Sequence, residues 1–162
     1  KFKMNEENEN YFIAKYVAGA CDTDDLVNYA NYKLNSGIYS DGLLGIIDAE
    51  PKCWDIVSPL FEKLIAQLPS FDDSIHLIIK HHLKLIASEK IDPFIQFRQL
   101  LNDIDNFDLH ENVTKYVGDN VGIEHLYGLY YARDDLEVND NYGVVEIGAL
   151  MQEESIKWLS EH

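Results

Sequence analysis

Basic residues are scarce in this chain. Its 162 residues carry 13 Lys and Arg against 29 Asp and Glu, a formal charge of −16. A surface this negative repels nucleic acid and anionic lipid, so it argues against direct nucleic-acid binding and for basic protein partners. Cysteine is nearly missing as well, with Cys21 and Cys53 alone. A small secreted scaffold would carry more, so the expectation is two reduced thiols in a cytoplasmic protein. No apolar run approaches the ~20 residues that span a bilayer, which excludes a simple membrane anchor within this stretch. The opening Lys1-Phe2-Lys3-Met4-Asn5-Glu6-Glu7 has no apolar signal core. Strand periodicity is lacking too. Asn139-Asp140-Asn141-Tyr142-Gly143 could turn a hairpin, but its flanks are short and acidic. Finally, there is no Gly-x-Ser-x-Gly elbow, no Gly-rich phosphate loop and no His-Glu-x-x-His pair, so no enzyme class is indicated.

Apolar residues with helical spacing, punctuated by caps and breakers, are what remain. The 46% hydrophobic fraction is that of a globular chain with a real core. Helices are expected over Glu9–Ala20, from a Thr23 cap to Gly37, and from a Ser40 cap through Leu43, Leu44 and Ile47. Ser58-Pro59 reads as a cap followed by proline at the first helical position, and Asp92-Pro93 repeats that logic. Between them, Ser74–Ser88 is apolar on more than one face and is expected to be the most buried helix. Glu111–Val117 would add a turn or two. Asn120–Ala132 is expected to be a helix despite Gly122 and Gly128, with glycine permitting close packing. Asp134–Gly143 is an acidic loop, and Val144–Leu159 closes the chain with Ile147, Leu150, Met151 and Trp158 facing inward. The fold class is therefore all-α, a single domain over 1–162 forming an irregular helical bundle. A short solenoid-like stack of antiparallel helices is the alternative arrangement. Residues 1–8 read as a lead-in, either disordered or left from expression, with Met4 as the native start.

Several groups of residues invite a chemical reading. His76, His81 and His82 share one helix, but metal-binding histidines there need spacings of three or four. At ~100° per residue His76 and His81 diverge by roughly 140°, so packed histidines are expected. Asp135, Glu137, Asn139, Asn141 and Glu146 echo a calcium loop, with Asp140 where the sharp turn wants glycine. A solvated acidic loop is the expectation there and for Asp103, Asp105 and Asp108. No metal or other cofactor is expected. His110 beside Asp108 and Glu111 would matter only if a deep pocket gathered them.

The acid is unevenly placed. From Gln99 to His162 there are 14 acids and 3 bases, and Tyr116, Tyr127, Tyr130, Tyr131 and Tyr142 lie among them. Tyrosine among carboxylates suits the grip of a basic protein, because the ring supplies buried area and the acids steer encounter. Tyr127, Tyr130 and Tyr131, at helical spacing, read first as a core face. The partner-binding residues expected from this pattern are Asp134, Asp135, Glu137, Asp140, Tyr142 and Glu146.

Two segments resemble a known layout. The first is Ala30-Asn31-Tyr32-Lys33-Leu34-Asn35-Ser36-Gly37, followed by Ser40, Leu43, Leu44, Ala49 and Pro51. The second is Glu89-Lys90-Ile91-Asp92-Pro93-Phe94, followed by Leu100 and Leu101. In this order they resemble small acidic helical bacterial proteins of the toxin-immunity type, found near polymorphic or contact-dependent toxin genes. Ile95-Gln96 departs from that layout, which usually carries a small residue there. The resemblance implies no catalytic residue. It implies a non-catalytic immunity protein, or antitoxin, that neutralises a cognate toxin, and nucleic-acid-cleaving toxins are usually basic because they must hold phosphate. A helical adaptor domain and an enzyme of unrecognised type are the competing expectations. The sequence leaves the oligomeric state open.

Overall fold

The computed structural model describes residues 5–162, and those residues contain eight α-helices and no strand. They are α1 (Glu6–Val17), α2 (Thr23–Asn35), α3 (Asp41–Asp48), α4 (Trp54–Leu64), α5 (Phe71–Ala87), α6 (Pro93–Asp103), α7 (Glu124–Ala132) and α8 (Asn141–Glu161), with single 3₁₀ turns at Asp119–Val121 and Arg133–Asp135. The all-α reading therefore holds, as one compact domain. The solenoid alternative does not. In a stack each helix meets its sequence neighbours, whereas α5 packs against α1, α6 and α8. The proposed start at Met4, like Lys1–Lys3, lies outside the described residues, while Glu6–Asn8 belong to α1 rather than to a lead-in.

α5 is the hub because its apolar residues recur every three or four positions. Ile75, Ile78, Ile79, Leu83 and Ile86 are all essentially inaccessible. They form one core cluster with Phe94, Phe97 and Leu100 of α6, Met151 and Trp158 of α8, Ala14 of α1 and Ala18 at its C-terminal cap. A second cluster joins Leu26, Tyr29 and Ala30 of α2, Leu43 and Ile46 of α3, and Val57 and Phe61 of α4 around Tyr16. α1 is the wedge between them: its alanines face one cluster and Tyr16 faces the other.

Caps explain most boundaries. Asp22 caps α2 in a reciprocal box with Asp25, one residue ahead of the expected Thr23. Ser40 and Asp92 cap α3 and α6 as expected. Two starts differ. α4 begins at Trp54 and carries Pro59 inside it. Val57 and Phe61, four residues apart and fully buried, hold the helical phase through the proline, so packing offsets the lost amide. α5 begins at Phe71, capped by Ser70, while Ser74 is buried and donates its hydroxyl to the Ser70 carbonyl at 2.7 Å.

Residues 111–117 contain no helix. The Asp119 carboxylate instead collects the backbone N–H groups of Thr114, Lys115 and Tyr116 together with the Thr114 hydroxyl. These donors, that of Tyr116 foremost, hold its pKa down to about 2. Asn120 ties the same loop through its amide N–H groups, which reach the Asp108 and Glu111 carbonyls at 3.0 and 2.8 Å. Gly122, at φ +76°, separates the 3₁₀ turn from α7, so the expected Asn120–Ala132 helix is shorter. A Cβ on Gly128 would meet nothing within 4 Å, so this glycine opens space rather than permitting close packing.

Candidate functional site

Two polar constellations stand out, one inside the bundle and one on its surface. The inner one ties α1, α5 and α6. His82 is 2% exposed. Its Nε2 lies 2.7 Å from Asp103 Oδ2, and its Nδ1 faces the Gln96 amide at 2.5 Å. The Tyr11 hydroxyl donates to the same Asp103 oxygen and stands 3.2 Å from His82 Nε2. Lys15 Nζ adds a cation 4.0 Å from Asp103 Oδ1. If the Gln96 amide donates to Nδ1, Nε2 carries the proton and donates to the carboxylate. Burial alone would raise the Asp103 carboxyl, but hydrogen bonds from His82 and Tyr11, with the charge of Lys15, outweigh it and hold the pKa below the ordinary value.

The geometry resembles an acid–base set, yet each reactive atom already has a partner within the knot. The neighbouring cleft is lined by Tyr11, His81, Lys80, Lys84 and Glu7, with neither His82 nor Asp103 at its wall. What the arrangement does is lock three helices together. His81, next in sequence, lays its ring flat on Tyr11, with centroids 3.7 Å apart. Burial, reinforced by His82, pushes its pKa down to about 4.

That shift has a sign. A histidine whose folded pKa is below its unfolded value binds fewer protons in the native state, so stability rises with pH across the window between them. The fold should lose about 1–2 kcal/mol between pH 6.5 and 4 through His81, after discounting for solvent screening. Chemical denaturation of His81→Phe, which keeps the stack and cannot titrate, should show a shallower loss than the native chain over that window.

The outer constellation is the acidic corner. Asp134 and Asp135 stand exposed in the 3₁₀ turn after α7, and Glu137 is exposed beyond them. Asp140 is not free: its carboxylate accepts from the Gly143 N–H at 2.8 Å and caps α8. α8 begins at Asn141, so Tyr142 rides on its first turn rather than in the expected loop, and Glu146 lies on the helix as expected. The calcium-loop echo is broken by that start, because its second half is helical. Among the described residues no three His, Cys, Asp or Glu side chains could hold a metal ion.

Apolar side chains interleave with these acids. Val138 is 100% exposed, Tyr142 80% and Val145 71%. Along α8, Val145, Ala149 and Ile156 form one exposed row, flanked by Tyr142, Glu146 and Glu153 within an arc of roughly 100°. Among the described residues no ion pair involves Asp134, Asp135, Glu137 or Glu146, whereas Lys33 binds Glu9 at 2.9 Å and Lys84 binds Glu7 at 2.6 Å in the other half. Arg133, beside the acids, lays its guanidinium 4.5 Å from the Phe94 ring centroid. Leu150, expected inside, is 41% exposed.

No family model matches the chain, and no curated protein and no solved structure is similar to it at a significant level.

The other expected candidates scatter. His76 packs beside Trp158, with ring centroids 5.0 Å apart. Asp108 accepts from the His110 backbone N–H at 2.8 Å; these two line one shallow depression and Glu111 another. Asp103 belongs to the knot, while Asp105 and Asp108 are exposed. Tyr127 and Tyr130 pack against the first core cluster as expected, and Tyr131 is exposed. Cys21 and Cys53 are free and half-buried, and burial pushes the Cys21 thiol up to about 12. Among the described residues no helix is long and apolar enough to cross a membrane.

The knot is the constellation that sequence reasoning missed. One signal was available. His82 stands three, four and seven residues after Ile79, Ile78 and Ile75, in the middle of the buried stripe. A polar group at such a position needs partners.

Proposed function

We propose that this chain is a non-catalytic immunity protein that binds and neutralises a cognate basic toxin domain through its acidic C-terminal surface. A nuclease is the toxin class whose basic substrate groove would fit best. The observation carrying this reading is the corner itself: exposed carboxylates without an ion pair among the described residues, set beside exposed Val138, Tyr142 and Val145. Carboxylates steer a cationic partner, and the apolar side chains supply area that becomes buried on contact. Asp134, Asp135, Glu137, Tyr142 and Glu146 make the contact, while Asp140 keeps α8 in place.

The test is co-expression with the basic product of the neighbouring reading frame. The pair should form a complex that abolishes the toxin's activity, with affinity falling steeply from about 50 to 500 mM salt. Neutralising four acids (Asp134→Asn, Asp135→Asn, Glu137→Gln and Glu146→Gln) should slow association by about tenfold or more, with little change in stability. Salt-independent affinity, or an unchanged association rate, would refute the steering role.

One observation favours a helical adaptor instead. Tyr39, 74% exposed, and Ile38 lie between α2 and α3, outside the acid-rich half. A partner whose binding is lost on Tyr39→Ser, and is indifferent to the four neutralisations, would establish that reading.

A further inference from the structure

A groove of about 590 Å³ runs between α7 and α8, within the size range of about 300–1,000 Å³ typical of ligand sites. Its wall is aromatic and aliphatic, with Tyr116, Tyr127 and Leu150, and Glu124 and Glu154 also line it. Gly128 makes room, since a Cβ there would touch nothing within 4 Å. The groove adjoins the exposed face of α8 through Leu150.

Glu124 is the distinguishing residue. Its Oε1 lies 3.8 Å from His125 Nε2, while its Oε2 is buried with no hydrogen-bond partner. That oxygen has no surface open to the groove, so a ligand there meets Glu124 through the remainder of a side chain that is 23% exposed. The Tyr116 ring already carries a cation, with Lys115 Nζ 5.0 Å from its centroid, so a guanidinium entering the groove displaces that lysine or stacks on Tyr127. Apolar walls, aromatic faces and two carboxylates together match a long side chain ending in a planar cation. Guanidinium fits better than ammonium, because it stacks on rings and offers five donors in a fixed fork. A second copy of this chain fits poorly, since each copy carries −16.

We infer that the α7–α8 groove is the anchoring pocket for an arginine side chain of the basic partner, with its stem on Tyr116, Tyr127 and Leu150 and its head at Glu124 and Glu154. This rests on the acidic-surface reading above and adds to it the point where the partner is held. The groove governs dissociation, while the corner governs encounter.

The test uses N-acetyl-arginine amide as the probe and N-acetyl-citrulline amide as its uncharged counterpart, followed by amide chemical shifts. The arginine compound should give saturable shifts at His125, Gly128 and Glu154, and the citrulline compound none. Gly128→Leu, which fills the groove on a helix that gains propensity, should weaken the arginine compound at least tenfold. Gly128→Ala should stay within about twofold of the native chain. Glu124→Gln should weaken it comparably and serves if the leucine variant does not fold. Shifts confined to residues 134–146, or undiminished affinity in Gly128→Leu and Glu124→Gln, would overturn the inference. With the toxin as ligand the two ideas separate. If only the four neutralisations weaken the complex, the groove falls and the acidic-surface reading stands. If arginine fills the groove but no basic partner binds, the reading falls and the pocket stands.

Discussion

Asp103→Ala should lower the unfolding free energy by about 3 kcal/mol, a large share of the roughly 5–15 kcal/mol typical of such domains. The expected loss comes from stranded partners rather than from lost bulk. Without the carboxylate, the Tyr11 hydroxyl loses its acceptor and the His82 Nε2–H keeps only the Tyr11 oxygen, 3.2 Å away, while His82 is too deep for water to reach easily. Removing one partner from a buried charged contact leaves the other with its full desolvation cost. Asp103→Asn keeps one acceptor oxygen and should cost less. The acid limb gives a second readout. The Asp103 pKa is held below its ordinary value of 3.8, so its stabilisation is complete above that value and is lost as pH falls through the folded one. Denaturation of Asp103→Ala should therefore show a smaller further loss at the most acidic pH than the native chain. Equal midpoints for native chain and variant would mean that the knot does not hold the helices.

Phe61→Ala should cost about 4 kcal/mol, the upper part of the range for emptying a packed aromatic site. Phe61 is fully buried, and its ring centroid lies 4.7 Å from Tyr16, 5.3 Å from Tyr29 and 5.8 Å from Phe12. Those rings come from α1 and α2, and the two tyrosines are anchored elsewhere: Tyr29 donates to Glu9 at 2.7 Å, and Tyr16 to Glu62 at 2.7 Å. The tyrosines cannot collapse into the hole without giving up those bonds. The damage should also be local first. The second cluster holds α2, α3 and α4, while α5 belongs to the other, so amide exchange should accelerate more in α2–α4 than in α5. Uniform acceleration through both halves would show one cooperative core instead.

Much of the fold was legible because caps and periodicity are local. Ser40 and Asp92 announce α3 and α6 by placing a side-chain oxygen where the first amides are unpaired, and the structure uses both. Ser58-Pro59 carries the same local signal and is not used. α4 starts at Trp54, after a Cys53 that makes no side-chain cap, because the burial of Val57 and Phe61 outweighs a favourable local start. The acidic corner was legible as composition, and the helix from Val144 by periodicity, but the earlier start at Asn141 was not. Asp140 reads as a loop residue until its carboxylate is seen on the Gly143 N–H.

The sequence by itself determined the helical class, the hub position of α5 and the concentration of acid toward the C-terminus. Each depends on residues a few positions apart, or on simple sums of charge. Only the tertiary structure decided that Tyr11, His82, Gln96 and Asp103 meet, since Tyr11 lies 71 residues from His82 and 92 from Asp103. It also decided that Gly128 and Glu124 open onto a groove walled by α8. Polar groups far apart in the chain find one another because each sits on a buried stripe and must be paired there. The apolar packing that builds those stripes, and not any spacing in the sequence, chooses their partners.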